Sequence, residues 1–308
     1  MSAPRVESIA CSSPTGIHQM AYYDWGDPDN PDVLLCVHGL TRNGRDFDEV
    51  AKRLSKRFRV VCPDVVGRGL SDWLVNPAGY QVPQYAADMV SLIGRLQPKT
   101  LNWVGTSMGG LIAMVYSALV AKAQSGKAPV PPARLTASIP DSVVPITRLV
   151  LNDVGPRVEP ESLARIGAYL GDLTQYDSFE EGLAYMRQTA QSFGLQTDEQ
   201  WEMFTRHYFV QKDGHWIKHY DPNIAMGFAG MTPEMMAKGE EYLWHVYSKI
   251  TSDILVLHGV ESDLLTAESV ARMQASNART QVRSIEGVGH APSLLKDHEI
   301  DLLESFLV

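Results

Sequence analysis

The 308-residue chain is 44% hydrophobic, which suffices for a large buried core and one or two domains. Its formal charge of −9, from 27 basic and 36 acidic residues, argues against nucleic acid or an anionic membrane as the main partner. No stretch approaches the roughly 18–20 apolar residues of a membrane span. Residues 1–11 lack the charged-then-apolar layout of a secretory signal, so a soluble, cytoplasmic protein is expected. Cys11, Cys36 and Cys62 show no C-x-x-C spacing and are expected to be buried, reduced thiols, with no disulfide framework, no metal site and no cofactor.

In chain order, Ile17–Trp25 reads as a partly alternating strand closed by the turn-rich GDPDNPD, and Val33–Val37 (VLLCV) as a buried parallel strand. Asp46–Lys56 follows as an amphipathic helix. The rhythm repeats with strand Phe58–Cys62, helix Val82–Leu96, strand Leu101–Val104, the small-residue helix Gly109–Ala123 and strand Arg148–Asn152. Such alternation predicts an α/β fold with an open, mostly parallel sheet covered on both faces. Ser125–Thr147, with five prolines, is expected to be an extended surface loop away from the ligand-binding edge, and an oligomer contact there is left open.

From about Pro156 to Lys238 the sequence is helical in character, rich in Met and aromatics, and without a good strand signal. The rhythm then resumes with helix Glu240–Ile250, strand Ile254–Leu257, helix Ala267–Ala275, strand Val282–Ile285 and helix His298–Leu307. One α/β core, residues 1–155 and 239–308, interrupted by a helical insertion at 156–238 explains this better than two consecutive domains.

The chemistry concentrates in LNWVGTSMGG (residues 101–110), where an apolar strand runs into Gly105-Thr106-Ser107-Met108-Gly109 and a helix follows at once. A serine on so tight a strand-to-helix turn needs glycines two residues to either side, and the turn aims helix N–H groups at developing negative charge. Ser107 is therefore the expected nucleophile. It needs a base, and His290, in the Gly-rich loop GVGHAP after the last strand, is the candidate. The acid that would hold His290 is read as Asp263, in HGVESDLL, with Asp153, in LVLNDVG, as its rival. Asp263 is preferred because its loop is longer and freer to reach. For the oxyanion the expected donors are the N–H groups of Met108 and of Leu40 in His38-Gly39-Leu40-Thr41, with His38 bracing that loop.

Together these residues resemble the α/β-hydrolase superfamily over nearly the whole chain. HGLT resembles its oxyanion loop, DVVGRGLSD (Asp64–Asp72) its D-x-x-G-x-G-x-S segment, GTSMGG its nucleophile elbow, ESDLL its acid loop and GVGHAP its histidine loop. The resemblance implies an eight-stranded, mostly parallel sheet with a helical cap inserted after strand six, which the 156–238 segment fits. Serine at the elbow sets it apart from relatives that resemble epoxide hydrolases or haloalkane dehalogenases, and it looks most like the capped esterase, enol-lactonase and carbon–carbon-bond hydrolase group. The expected function is hydrolysis of a small or medium hydrophobic ester through an acyl-enzyme. Lactone opening, carbon–carbon hydrolysis and a ligand receptor without turnover stay open. Trp201, Phe204, His207, Tyr208 and Met226 are the candidate substrate contacts, an aromatic stripe that also reads as the insertion's own core.

Overall fold

The computed structural model describes residues 3–126 and 143–308. Most of the 125–147 segment therefore lies outside the described residues, although Ser125 ends a helix and Ile146 already begins a strand. Among the described residues, eight strands form one sheet in the order β1-β2-β4-β3-β5-β6-β9-β10. Its parallel part consists of β3 (Asp32–Val37), β4 (Arg59–Pro63), β5 (Thr100–Thr106), β6 (Ile146–Asn152), β9 (Asp253–Gly259) and β10 (Thr280–Ile285). At one side β2 (Gly16–Trp25) runs antiparallel to both β4 and β1 (Arg5–Ser13). The sequence reading did not anticipate β1. It pairs with β2 alone, and only Cys11 along it is buried, so it carries no apolar run to announce it.

The uniformly apolar central strands are explained by helices on both faces. Alternate residues of β3 enter different cores. Leu35 and Val37 pack in one cluster with Met89 of α2 (Val82–Leu96) and Ile112 of α3 (Met108–Ser125). Leu34 and Cys36 pack in the other, with Val50 of α1 (Asp48–Leu54) and Leu303 of the C-terminal helix Asp297–Leu307. The three cysteines are buried and free, and burial pushes the Cys11 thiol up to about 12.

Between β6 and β9 the chain leaves the sheet. This excursion holds α4 (Pro160–Leu170), α5 (Phe179–Thr189), α6 (Asp198–Arg206), a hairpin of β7 (Phe209–Lys212) and β8 (His215–Lys218), α7 (Met226–Ala229) and α8 (Pro233–Tyr247). Two expectations are corrected here. The segment does contain strands, joined by Asp213-Gly214 with φ of 51° and 86°, a dipeptide suited to the tight two-residue hairpin turn. The expected boundary at 238/239 falls inside α8, which starts at Pro233 behind the Thr232 hydroxyl cap and runs on through Gly239. After β9 come α9 (Ala267–Ser276), β10 and α10 (Asp297–Leu307).

Candidate active site

Strand β5 ends at Thr106 and α3 begins at Met108, so Ser107 alone makes the turn, with φ 51° and ψ −117°. The flanking glycines are sterically required. A Cβ at Gly105 would lie 2.5 Å from the backbone of Gly109 and Gly110, and one at Gly109 would lie 2.0 Å from the Val37 carbonyl oxygen. The Ser107 N–H donates to the Asn152 carbonyl at 3.0 Å, tying the turn to the end of β6.

The loop after β10 brings His290 to this point, with Nε2 2.9 Å from Ser107 Oγ. Nδ1 lies 2.8 Å from Asp153 Oδ2. A carboxylate only accepts, so Nδ1 carries the proton and Nε2 presents its lone pair to the serine hydroxyl. Asp153, fully buried, follows directly on β6 with φ 54°, and its carboxylate also accepts from the Gly259 N–H at 2.9 Å and the Ser262 hydroxyl at 2.5 Å. The preference for Asp263 is thus corrected. Its side chain is 51% exposed and paired with Arg165 of α4 at 2.7 Å, turned away from His290 into a surface ion pair. Because β6 is the immediate neighbour of β5, the strand that leads into Ser107, a carboxylate needs no long loop to reach the histidine from there.

The loop after β3 is braced from several sides. His38 Nε2 accepts the Val65 N–H at 2.9 Å and its Nδ1 donates to the Gly39 carbonyl at 2.6 Å. Complete burial lowers the His38 pKa to about 3, so the ring is neutral. The Leu40 carbonyl accepts from Arg68 Nε at 2.8 Å, which fixes the Leu40–Thr41 peptide. Met108, the first residue of α3, has an N–H without an intrahelical partner. Asp64 accepts from the N–H groups of Gly44 and Leu70 at 2.7 and 2.8 Å.

Ser107 and His290 open onto a cavity whose walls come from the 39–42 loop, from Ile166 and Tyr169 of α4, from Tyr185, Met186 and Thr189 of α5, and from Phe193, Phe204 and Tyr208. Phe204 and Tyr208 were anticipated. The other three expected contacts lie elsewhere: Trp201 is buried beneath the Arg187 guanidinium, His207 faces Asp48 at 3.9 Å, and Met226 is 58% exposed on the surface. The sequence reading missed Arg42, which lines the cavity at 7% exposure. Its signal was a cation two residues past the oxyanion loop's leucine.

A buried Asp hydrogen-bonded through a His to a cavity-facing Ser, at the strand ends of an eight-stranded, mostly parallel sheet, is the arrangement of a hydrolase-type site on an α/β-hydrolase fold. The chain belongs to the Alpha/beta hydrolase family, whose pattern it matches over residues 34–302. It is 44% identical over 309 aligned positions, covering 99% of this chain and 98% of the relative, to a 3-hydroxybutyrate-oligomer hydrolase of Cupriavidus necator. Among solved structures it is similar to an alpha/beta hydrolase from Novosphingobium aromaticivorans, with TM-score 0.78, 31% identity and 99% of both chains covered. It is also similar to an E-2-(acetamidomethylene)succinate hydrolase, at TM-score 0.75 with 20% identity, covering 98% of this chain and 99% of the other, a likeness of fold.

Proposed function

We propose that this chain is a serine hydrolase that cleaves the ester bonds of short 3-hydroxyacid oligomers, 3-hydroxybutyrate oligomers foremost. The observation that carries the hydrolytic reading is the hydrogen-bonded series Asp153–His290–Ser107 facing a cavity. The substrate class is supported by the full-length similarity to the Cupriavidus necator oligomer hydrolase. In this reading Ser107 is the nucleophile, His290 the base, Asp153 the acid, Leu40 and Met108 N–H groups the oxyanion donors, and the excursion after β6 a cap that shapes the substrate cavity.

The reaction then runs in two halves. His290 Nε2 takes the Ser107 proton as Oγ attacks the ester carbonyl, and the Leu40 and Met108 N–H groups hold the oxyanion. Asp153 keeps the imidazolium oriented. The tetrahedral intermediate collapses, His290 protonates the departing alkoxide, and one hydroxyacid leaves. Water, deprotonated by His290, attacks the acyl-serine and releases the second acid. The test is release of monomeric 3-hydroxybutyrate from its dimer and trimer. Ser107→Ala should lower that rate by about 10⁴-fold or more. Wild-type turnover that persists in this variant, or no monomer released by the wild type, overturns the reading.

A further inference from the structure

We infer that Arg42 forms a carboxylate subsite of the catalytic cavity, so that the preferred substrates are esters bearing a free carboxylate close to the scissile bond. This rests on the ester-hydrolase reading above and adds to it a recognition element. Arg42 lines the same cavity as Ser107 and His290. Its guanidinium is held on one edge only. Nε and Nη2 donate to the two carboxylate oxygens of Asp46 at 2.7 and 2.5 Å, and Nη2 also reaches the Phe204 carbonyl at 2.7 Å. The plane is fixed from one face by the Phe204 ring, 3.7 Å from Cζ. The remaining nitrogen, Nη1, is buried and has no hydrogen-bond partner among the described residues.

A guanidinium is permanently protonated and donates through five N–H groups, so a buried Nη1 wants an acceptor, and an anionic one most. Asp46, which also lines the cavity, takes the Nε and Nη2 edge through both of its oxygens, so a ligand carboxylate would have to take Nη1. Most of the cavity wall is aromatic or aliphatic, with Tyr169, Tyr185, Met186 and Phe193 suited to hydrocarbon rather than charge. A dimer of a 3-hydroxyacid fits this division. Its free carboxylate lies on the leaving-alcohol unit, two carbons from the ester oxygen, and its methyl groups remain for the apolar wall.

The test compares kcat/KM for the 3-hydroxybutyrate dimer as its free acid and as its neutral terminal carboxamide. The comparison is made in the wild type, Arg42→Gln, and Arg42→Gln combined with Asp46→Asn, which keeps the buried pair neutral. The wild type should prefer the acid by about 10- to 100-fold, chiefly through KM, and that ratio should collapse toward one in both variants. An acid-to-amide ratio near one in the wild type, or one that survives in the variants, overturns the subsite. Should the variants not fold, inhibition of the wild type decides: 3-hydroxybutyrate should inhibit p-nitrophenyl butyrate hydrolysis at least about tenfold more tightly than 3-hydroxybutyramide, and equal inhibition overturns the subsite. A wild type that ignores the dimer yet favours mono-p-nitrophenyl glutarate, whose carboxylate lies on the acyl side, over the corresponding glutaramate ester, with that preference lost in Arg42→Gln, would discard the oligomer reading and retain a carboxylate subsite at Arg42.

Discussion

The exchange of Asp263 for Asp153 turns on where each carboxylate sits relative to His290. Asp153 is fully buried and accepts three hydrogen bonds, one of them from the imidazole. Asp153→Asn should lower kcat/KM by about 10⁴-fold, because an amide NH2 donating to His290 Nδ1 holds the ring in the wrong tautomer. Asp263→Asn should change it by less than about threefold, since an exposed ion pair contributes little. Ester hydrolysis by the two purified variants checks this, and the reverse ranking would restore Asp263. Ser107 and His290 were legible because their local motifs dictate a strand-to-helix turn and a Gly-rich loop. The acid was not, because its identity depends on which strand lies beside β5, and a short loop counts as a handicap only until β6 is known to be that neighbour. His38 makes a residue-level prediction of another kind. Its ring stays neutral in the fold to about pH 3, whereas an unfolded histidine protonates near 6.5. As pH falls from 7 to 5 the unfolded chain binds that proton and the native one does not, so His38 alone lowers stability by about 2 kcal/mol. Buried Asp64 opposes it: burial raises its pKa to about 6, so the native chain protonates first, adding about 1 kcal/mol over the same window. Urea unfolding of His38→Gln should therefore show a smaller loss, or a gain, between pH 7 and 5 than the wild type. Equal losses would remove His38 from the account.

At the scale of elements, the turn at Ser107 depends on the close contact between α3 and β3. Gly109 is where α3 meets the Val37 carbonyl, one residue before the His38–Leu40 loop, so an added methyl must push the helix from the strand and displace that loop with it. Gly109→Ala should cost about 3 kcal/mol or more in urea unfolding and most of the hydrolase rate. Gly94 in α2 is the contrast, for a Cβ there meets nothing within 4 Å. Gly94→Ala should stabilise by about 0.5–1 kcal/mol, and destabilisation by Gly94→Ala would sink the steric reasoning. The central strands and their helices were readable because burial on both faces demands unbroken apolar runs. Three features were not. Strand β1 lies at an edge with a polar pattern, and α8 passes through Gly239 without a break. The β7–β8 hairpin is four residues to a side, and its Asp213-Gly214 turn was lost within an aromatic-rich stretch.

Across the whole molecule, the excursion after β6 and the sheet share one hydrophobic cluster. Ile166, Leu170, Met186, Trp201 and Phe204 belong to the same buried set as Leu35, Trp103 and Leu149. Backbone hydrogen bonds stitch the two together at separate places: Gly289 N–H to the Ser192 carbonyl at 2.7 Å, Gly69 N–H to His219 at 3.0 Å, and Asp221 N–H to Gly67 at 2.8 Å. The oxyanion loop is tied in as well, through Arg42 to the Phe204 carbonyl and Asn43 Nδ2 to the His207 carbonyl at 2.6 Å. Melting the excursion alone would strip apolar surface from the sheet's core and break these hydrogen bonds, so it has no cheap path to unfolding separately. Calorimetry should accordingly give one transition with equal calorimetric and van't Hoff enthalpies, on the order of 200 kcal/mol near 60 °C for a chain of this length. Loss of hydrolase activity on heating should coincide with it. A resolved first transition that abolishes activity while most of the enthalpy remains would mean that the cavity wall melts independently of the sheet. Coincidence would mean that the bonds which close the cavity also hold the His290 loop and the oxyanion loop in register with Ser107.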